Sequence, residues 1–439
     1  ARPLDGDGDG TTAPDMGAYE AGALAVFSCT FRATPLSGLS SVQAVFTASV
    51  AGPGTDTVTY AWDFTNDGTD DIAGAQYAEV TNTYGPGVYT VRLTCVNSLS
   101  QTAGVTRAGY ITVNSTDAYV ATNGGNVYPY ESWDHAATNI QSALDAIPGN
   151  GTVHVSNGTY AVTVGILMSQ GQTLVSVNGA SNTVIACRLA SDQAPAVRVN
   201  HASAVFQGFT VTGCVYQLTY NVPPVRLDAG VVRDCIIASN LVASIGGAYV
   251  TGGLMHNCAI TNNIAYHQNT SLGGGLRVAG GVVSNCAVIG NYAGDGGGGV
   301  SQSGGLVIRC LLTNNVCPAF NGNNGVDGGG GASITAGRMD NCLIVGNRMT
   351  SATANQGGGI RLSGGSVVNC TVASNAVATA TGVGGVYQTG GWVTNSIVYF
   401  NVRAAGPANV NGAVTNYAYS CAPELTPGGS GTLSADPQF

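Results

Sequence analysis

The feature that most constrains this 439-residue chain is a repeat that starts at about Asp234 and continues past residue 400. Each copy holds three short apolar stretches separated by glycine pairs or asparagine. Such short stretches, between residues that tolerate positive φ, predict strands and turns rather than helices. The clearest copies are GGAYVTGGLMHNCAITNN (246–263), GGLRVAGGVVSNCAVIGN (274–291), GGVSQSGGLVIRCLLTNN (298–315), GGASITAGRMDNCLIVGN (330–347), GGIRLSGGSVVNCTVASN (358–375) and GGVYQTGGWVTNSIVYFN (384–401).

A unit of this size cannot bury its own apolar face, so the copies must stack, and three short parallel strands per turn form a β-helix. Coils ~4.8 Å apart would align equivalent residues in columns. We expect an inner column of thiols and a corner column of asparagines, whose amides satisfy turn groups and one another. The thiol column is Cys235, Cys258, Cys286, Cys310, Cys342 and Cys370, with Ser396 next. The asparagine column is Asn240, Asn263, Asn291, Asn315, Asn347, Asn375 and Asn401.

The glycine pairs with a downstream asparagine resemble the repeats of polymorphic outer-membrane adhesins and of pectate-lyase-like right-handed parallel β-helices. The resemblance covers about residues 117–439. It implies an all-β chain with a right-handed parallel β-helix, and the length of this region predicts about ten coils. It implies much less about activity, because unrelated functions share this fold.

The start of the β-helix is predicted to be capped by a helix over residues 135–147. Such a helix hides the unpaired backbone edge of the first coil in the families that the chain resembles. We expect Asp134 as the N-cap and Pro148 as the stop. One stripe of the helix carries Ala136, Ile140, Ala143, Leu144 and Ile147.

Residues 24–116 form a different unit, because alternating strands such as VQAVFTASV and GVYTVRLTCVN predict an Ig-like β-sandwich. The stretches YAWDFTNDG (60–68) and NTYGPGVYTVRLTCVN (82–97) resemble the PKD domain. This family usually supplies spacers or carbohydrate-adjacent modules of extracellular proteins. Cys29 and Cys95 lie in strands that could face each other, so they form either a disulfide or two buried thiols.

The acidic segment 1–23 matches neither unit. Asp5, Asp7 and Asp9, followed by Gly10, have the spacing of the first half of a calcium loop. Met16 stands where an EF-hand has its bidentate glutamate, so a solvated acidic turn is the alternative interpretation. A weaker calcium candidate is the set Asp63, Asp67 and Asp71, for which ordinary turn residues are the favoured interpretation.

The two ends of the sequence predict assembly. In the β-helix family that the chain resembles, a phrase like ARPLDGDGDGTTAPDMGAYE closes the C-terminal end of a solenoid, whereas here it comes first. An open β-helix edge recruits another strand, so we expect units to join head to tail, as copies or within one giant chain. The expected assembly residues are Tyr19, Glu20, Tyr417, Tyr419 and Phe439.

The charge pattern excludes some partners. Only 8% of residues are charged, the net charge is −9 and all 14 basic residues are arginine. A nucleic-acid surface needs clustered cations, which this composition does not supply. The sequence contains no run of 18 apolar residues, so it predicts no membrane-spanning helix. The resemblance to PKD domains and β-helix adhesins implies an extracellular or cell-surface protein.

Catalysis is the rival interpretation, because many β-helices cleave polysaccharides with paired carboxylates. The best pair is Asp295 and Asp327, each followed by GGGG, although aspartate before glycine is also common turn chemistry. We expect no enzyme activity. One outward column could bind surface glycans, with a solvated surface as the alternative. It comprises Tyr249, Arg277, Ser301, Ser333, Arg361 and Tyr387.

Overall fold

The computed structural model describes eight stretches of the chain: residues 26–189, 194–216, 222–267, 272–318, 328–350, 356–411, 416–425 and 430–438. The chain divides into two compact units, Ala1–Asn114 and Ser115–Phe439. The predicted all-β class is confirmed: the first unit holds a β-sandwich and the second a parallel β-solenoid of about nine turns.

The sandwich packs a three-stranded sheet against a five-stranded sheet. Its core is aromatic: Trp62 is fully buried, and its ring centroid lies 5.2 Å from that of Phe31 and 5.4 Å from that of Phe46. The Trp62 indole N–H donates to the Tyr77 carbonyl at 2.9 Å, so this large side chain is buried with its polar atom satisfied. The first sheet contains, in spatial order, Ser28–Thr34, Val42–Ala51 and Glu79–Tyr84. The second contains Ser37–Leu39, Thr102–Asn114, Gly87–Asn97, Val58–Asp63 and Ile72–Gly74.

A short helix, Ile140–Ala146, packs on the first coil. It begins later than predicted, and Asp134 as N-cap is wrong: the Asn139 side chain caps the helix by accepting the Ser142 N–H at 3.1 Å. All five residues of the predicted apolar stripe are buried, and four of them, Ile140, Ala143, Leu144 and Ile147, belong to the solenoid core. Within the described residues, no helix is long and apolar enough to cross a membrane.

The coils build three faces. The long face contains Asp117–Val120, Thr152–Val155, Ile166–Met168, Thr173–Ser176, Val197–Gln207, Val225–Arg233, Ala248–Val250, Leu254–His256, Leu276–Val278, Val282–Ser284, Val300–Ile308, Ala332–Asp340, Ile360–Leu362, Ser366–Val368, Val386–Gln388, Trp392–Thr394 and Tyr417–Ala418. The ten-stranded face contains Gly158–Val162, Thr183–Cys187, Thr210–Thr212, Ile236–Ala238, Ala259–Thr261, Ala287–Ile289, Leu311–Thr313, Leu343–Val345, Thr371–Ala373 and Ile397–Tyr399. The nine-stranded face contains Val215–Tyr216, Leu241–Val242, Ile264–Ala265, Tyr292–Ala293, Val316–Cys317, Arg348–Met349, Ala376–Val377, Val402–Arg403 and Gly406–Pro407.

The glycine pairs of the repeat mark places where coils approach too closely for a side chain. A Cβ on Gly298 would lie 2.4 Å from the Gly330 carbonyl oxygen, and one on Gly330 would lie 2.4 Å from that of Gly358. The residue just before each column cysteine turns the corner at positive φ, as Asn257 does at 53° and Asn285 at 51°. Asparagine tolerates this left-handed conformation better than most residues, which accounts for its abundance at the corners.

Candidate functional site

The column cysteines lie in register inside the solenoid, each at most 3% exposed. All six are free thiols. Each Sγ donates to the carbonyl two residues before it at 3.1–3.3 Å. Hydrogen bonding to the preceding column thiol, together with burial, raises the pKa of Cys286, Cys310 and Cys342 to about 12. A thiol needs its thiolate form to react, so we expect these three thiols to react slowly.

The column asparagines form a continuous buried ladder. From Asn240 to Asn375, each Nδ2 donates to the Oδ1 of the next asparagine at 2.8–3.0 Å. The ladder continues to Asn409, and its last acceptor is the Glu424 carboxylate, which accepts the Asn409 backbone N–H at 2.8 Å. The repeat does not predict these last two members, because Asn409 follows Asn401 by only eight residues. Each Nδ2 also donates to a backbone carbonyl of the preceding coil, as Asn291 does to Ile260 at 2.9 Å, so every rung links three coils.

Of the two carboxylates considered for polysaccharide cleavage, only Asp295 lies in the described part of the chain. Asp295 is buried at 4% exposure, and its Oδ1 accepts the Gly296 N–H at 2.9 Å. That contact is the turn chemistry of an aspartate before glycine. Asp327 lies outside the described residues.

The carboxylates of the weaker calcium candidates accept backbone N–H groups of their own loop. Asp63 accepts the N–H groups of Asp67 and Gly68 and pairs with Arg92 at 3.3 Å, while Asp71 accepts the Phe64 N–H. Among the described residues, no group of three or more histidine, cysteine or acidic side chains is placed to hold a metal ion. Asp5, Asp7 and Asp9 lie outside the described residues, so calcium stays a prediction there.

Cys29 and Cys95 lie on opposite sheets of the sandwich and are free thiols in the structure. Their side chains hydrogen-bond to each other, and burial raises the pKa of Cys29 and raises that of Cys95 to about 12. The disulfide stays a prediction, made between two strands that do face each other.

The assembly residues divide between core and surface. Tyr417 is 1% exposed and belongs to the solenoid core, so its side chain is not available to a partner in this state. Tyr419 is 69% exposed, and the nearby Leu433 is 61% exposed. Tyr19, Glu20 and Phe439 lie outside the described residues.

The outward column of the long face carries the richest exposed chemistry. Its predicted members lie in register, from Tyr249 beside Arg277 to Arg361 beside Tyr387, and Arg198 and Arg226 extend it in earlier coils. We call Arg198, Arg226, Asp228, Tyr249 and Arg277 the arginine face. Its members are partly exposed, whereas Ser333 and Arg361 farther along the column are buried.

The arginine face is organised by one tyrosine and one carboxylate. The Arg277 and Arg226 guanidiniums lie 4.8 Å and 5.4 Å from the centre of the Tyr249 ring. Asp228 accepts from Arg198 at 2.7 Å and from Arg226 at 2.8 Å.

Burial raises the pKa of Asp228, but hydrogen bonds from Thr251, Arg198 and Arg226 outweigh it, so this pKa lies below its ordinary value. An aromatic ring between cations offers stacking and charge-assisted hydrogen bonds, which suit sugars that carry carboxylate or sulfate groups.

Comparison with known proteins identifies the first unit. Residues 29–108 match the PKD domain family, which confirms the predicted resemblance. A PKD domain followed by a β-solenoid fits an extracellular or adhesin-like protein. Comparison with curated protein sequences gives no match. Among solved structures, ORF18 of Geobacillus virus E2 aligns at 13% identity with a TM-score of 0.26, over 60% of this chain and 52% of that one.

Proposed function

We propose that the protein is an extracellular structural protein of the adhesin type, whose units join head to tail. In this proposal, segment 1–23 of one unit completes the C-terminal coil of the unit before it, which is a second copy or an earlier part of the same polypeptide. The supporting observation is the apolar surface of that coil. Tyr419 and Leu433 are exposed there, and Leu433 joins the coil through an isolated bridge to Cys421.

A weakly paired, apolar edge of this kind can accept another strand. The contact joins two different surfaces, so it need not close and can build a filament. Calcium held by Asp5, Asp7 and Asp9 would order the acidic segment, because a hard cation offsets the repulsion between carboxylates.

The test is the mass of the full chain in solution, measured by light scattering over a range of concentrations, with calcium and with a chelator. We expect mass to grow with concentration and to fall on chelation. Leu433→Ser should reduce this growth, whereas Val164→Ser, at a solenoid position that is 79% exposed, should not. A species that stays monomeric at high concentration would refute assembly between copies.

A second function, glycan binding, is favoured by the arginine face. We propose that it binds acidic polysaccharide without cleaving it. Tyr249→Ala and Arg277→Ala should each weaken binding about tenfold, since each removes one side of a cation–aromatic stack. The matched control is Arg348→Ala, which removes an exposed arginine on the nine-stranded face. The binding-only proposal would be overturned if the parent protein cleaved the polysaccharide and Asp295→Ala abolished this cleavage.

A further inference from the structure

Two cysteines lie outside the column, in coils that precede the regular repeat. Cys187 ends the strand Thr183–Cys187, and Cys214 follows the strand Thr210–Thr212 in the next coil. Ala186 pairs with Thr212, so Cys187 stands beside Gly213. Gly213 has φ of 74°, which breaks the strand alternation, and Cys214 turns inward next to Cys187. Cys187 is 3% exposed and Cys214 is fully buried.

A tyrosine hydroxyl joins the two thiols. The Tyr216 Oη lies 3.6 Å from the Cys187 Sγ and 3.6 Å from the Cys214 Sγ. Cys187, Cys214 and Tyr216 therefore form one cluster, which we call the thiol cluster, and neighbouring strands at this spacing allow a disulfide between them.

A cavity of about 290 Å³ lies against the thiol cluster. Its lining includes Cys187 and Tyr216 together with Arg188, Leu189, Gly213 and Val215. Val215 is 58% exposed, so the lining reaches the protein surface. A cavity of this size admits a small molecule.

The electrostatics distinguish this thiol from those of the column. The hydrogen bond from Cys214 lowers the pKa of Cys187 to about 7, with further help from Tyr216 and from the positive charge of Arg188, against the effect of burial. Burial, and after it the contact with Cys187, raises the pKa of Cys214. One thiol is thus activated and its neighbour is held protonated, as in an attacking and a resolving cysteine.

We propose that Cys187 and Cys214 are a redox-active dithiol, oxidised by small organic disulfides that reach Cys187 through the cavity. The Cys187 thiolate attacks one sulfur of the disulfide, whose S–S bond breaks and releases one thiolate, which takes up a proton. Cys214, losing its proton, then attacks the Cys187 sulfur and releases the second thiol. The two cysteines are oxidised to one disulfide, and the reagent is reduced to two thiols.

The first test uses the reduced full chain and needs no variant. N-Ethylmaleimide is applied briefly to the native protein at about pH 7, remaining thiols are alkylated with iodoacetamide after unfolding, and each cysteine is read by mass spectrometry. We expect Cys187 to react at least about tenfold faster than Cys286, Cys310 or Cys342, because of its thiolate content. Reaction of Cys187 no faster than that of the column would overturn the proposal.

The second test adds oxidised glutathione to the reduced protein. We expect a linked Cys187–Cys214 peptide pair, lighter by two hydrogen atoms than the two free peptides. In Cys214→Ser the resolving thiol is absent, so glutathione should remain on Cys187, whereas Cys286→Ser should behave like the parent protein. No linked peptide in the parent, or no retained glutathione in Cys214→Ser, would contradict the proposal.

Discussion

The solenoid contains two regions with the same strand register and different chemistry. From Asp234 onward, equivalent positions carry cysteines and asparagines in long columns. We call the coils before Asp234 the irregular region. There the strand pairing places Phe209 and Thr183 at the positions that cysteines occupy in the later coils. Cys214, whose N–H donates to Asn240 Oδ1 at 3.0 Å, precedes the first asparagine of the ladder. The thiol with a pKa of about 7 lies in the irregular region, and those with a pKa of about 12 lie in the regular one. We therefore expect the thiols of the regular columns to react slowly and Cys187 to react faster.

The largest expected effect is on the asparagine ladder. Asn315→Ala removes donors to Asn347 Oδ1 and the Val288 carbonyl, and leaves two N–H groups of Asn291 without their acceptor. All these groups are buried, so we expect a loss of about 3 kcal/mol in unfolding free energy. Denaturant unfolding followed by circular dichroism measures it. The control is Asn178→Ala in the irregular region, which loses one exposed hydrogen bond and should cost less than about 0.5 kcal/mol. Equal losses would remove the energetic distinction between the two regions.

The end of the ladder should be the next most sensitive point. Glu424→Ala removes the acceptor of two Asn409 N–H groups, and we expect a loss of about 2 kcal/mol. Glu424→Gln keeps a side-chain oxygen and should lose less than half as much. Hydrogen exchange of the Asn409 amide, read beside the unfolding midpoint, locates the effect. If glutamine were as damaging as alanine, geometry at this position would matter more than the acceptor.

A smaller effect is expected in the thiol column. Ser396 and Ser420 continue this column, and their hydroxyls accept the N–H groups of Cys370 and Ser396. Cys342→Ser should therefore cost only about 1 kcal/mol, because a hydroxyl can replace the thiol that accepts the Cys310 N–H. Cys342→Ala leaves that N–H without its acceptor and should cost more. We expect a lower unfolding midpoint for Cys342→Ala than for Cys342→Ser. Equal midpoints would mean that side-chain volume, and not the acceptor, determines stability at this position.

The smallest effect concerns the arginine face. Asp228→Asn should cost less than about 1 kcal/mol at neutral pH, because its arginine partners are partly exposed and solvent screens such pairs. The sign follows from the lowered pKa of Asp228. The pairs stabilise the fold above about pH 4, where the unfolded carboxyl is ionised, and this gain is lost as pH falls through the folded pKa. The difference in unfolding midpoint between the parent and Asp228→Asn should therefore be smaller at acidic pH than at neutral pH. Asp145→Asn, an exposed helix position with no ion pair in the described part of the chain, should show no such convergence.

Several features were accessible from sequence because they depend on spacing. The PKD domain follows from local motifs, and the β-solenoid follows from a repeat that buries apolar surface only when its copies stack. The helix boundary was less accessible: Asp134 and Asn139 are both suitable caps, and only the position of the backbone N–H of Ser142 selects Asn139. The sequence places Tyr417 among the expected assembly residues, whereas the fold buries its side chain in the solenoid core.

The sequence alone determined that this chain stacks short strands in parallel and which residues recur in each coil, because the repeat can be seen directly in the residue order. Only the tertiary structure decided which departures from the repeat come together. Cys187 and Cys214 occupy no common repeat position, and a single positive φ at Gly213 brings their side chains to one tyrosine. Glu424 likewise lies outside the repeat and accepts the Asn409 N–H. Contacts of this kind depend on side-chain direction, and residue spacing along the chain does not record it.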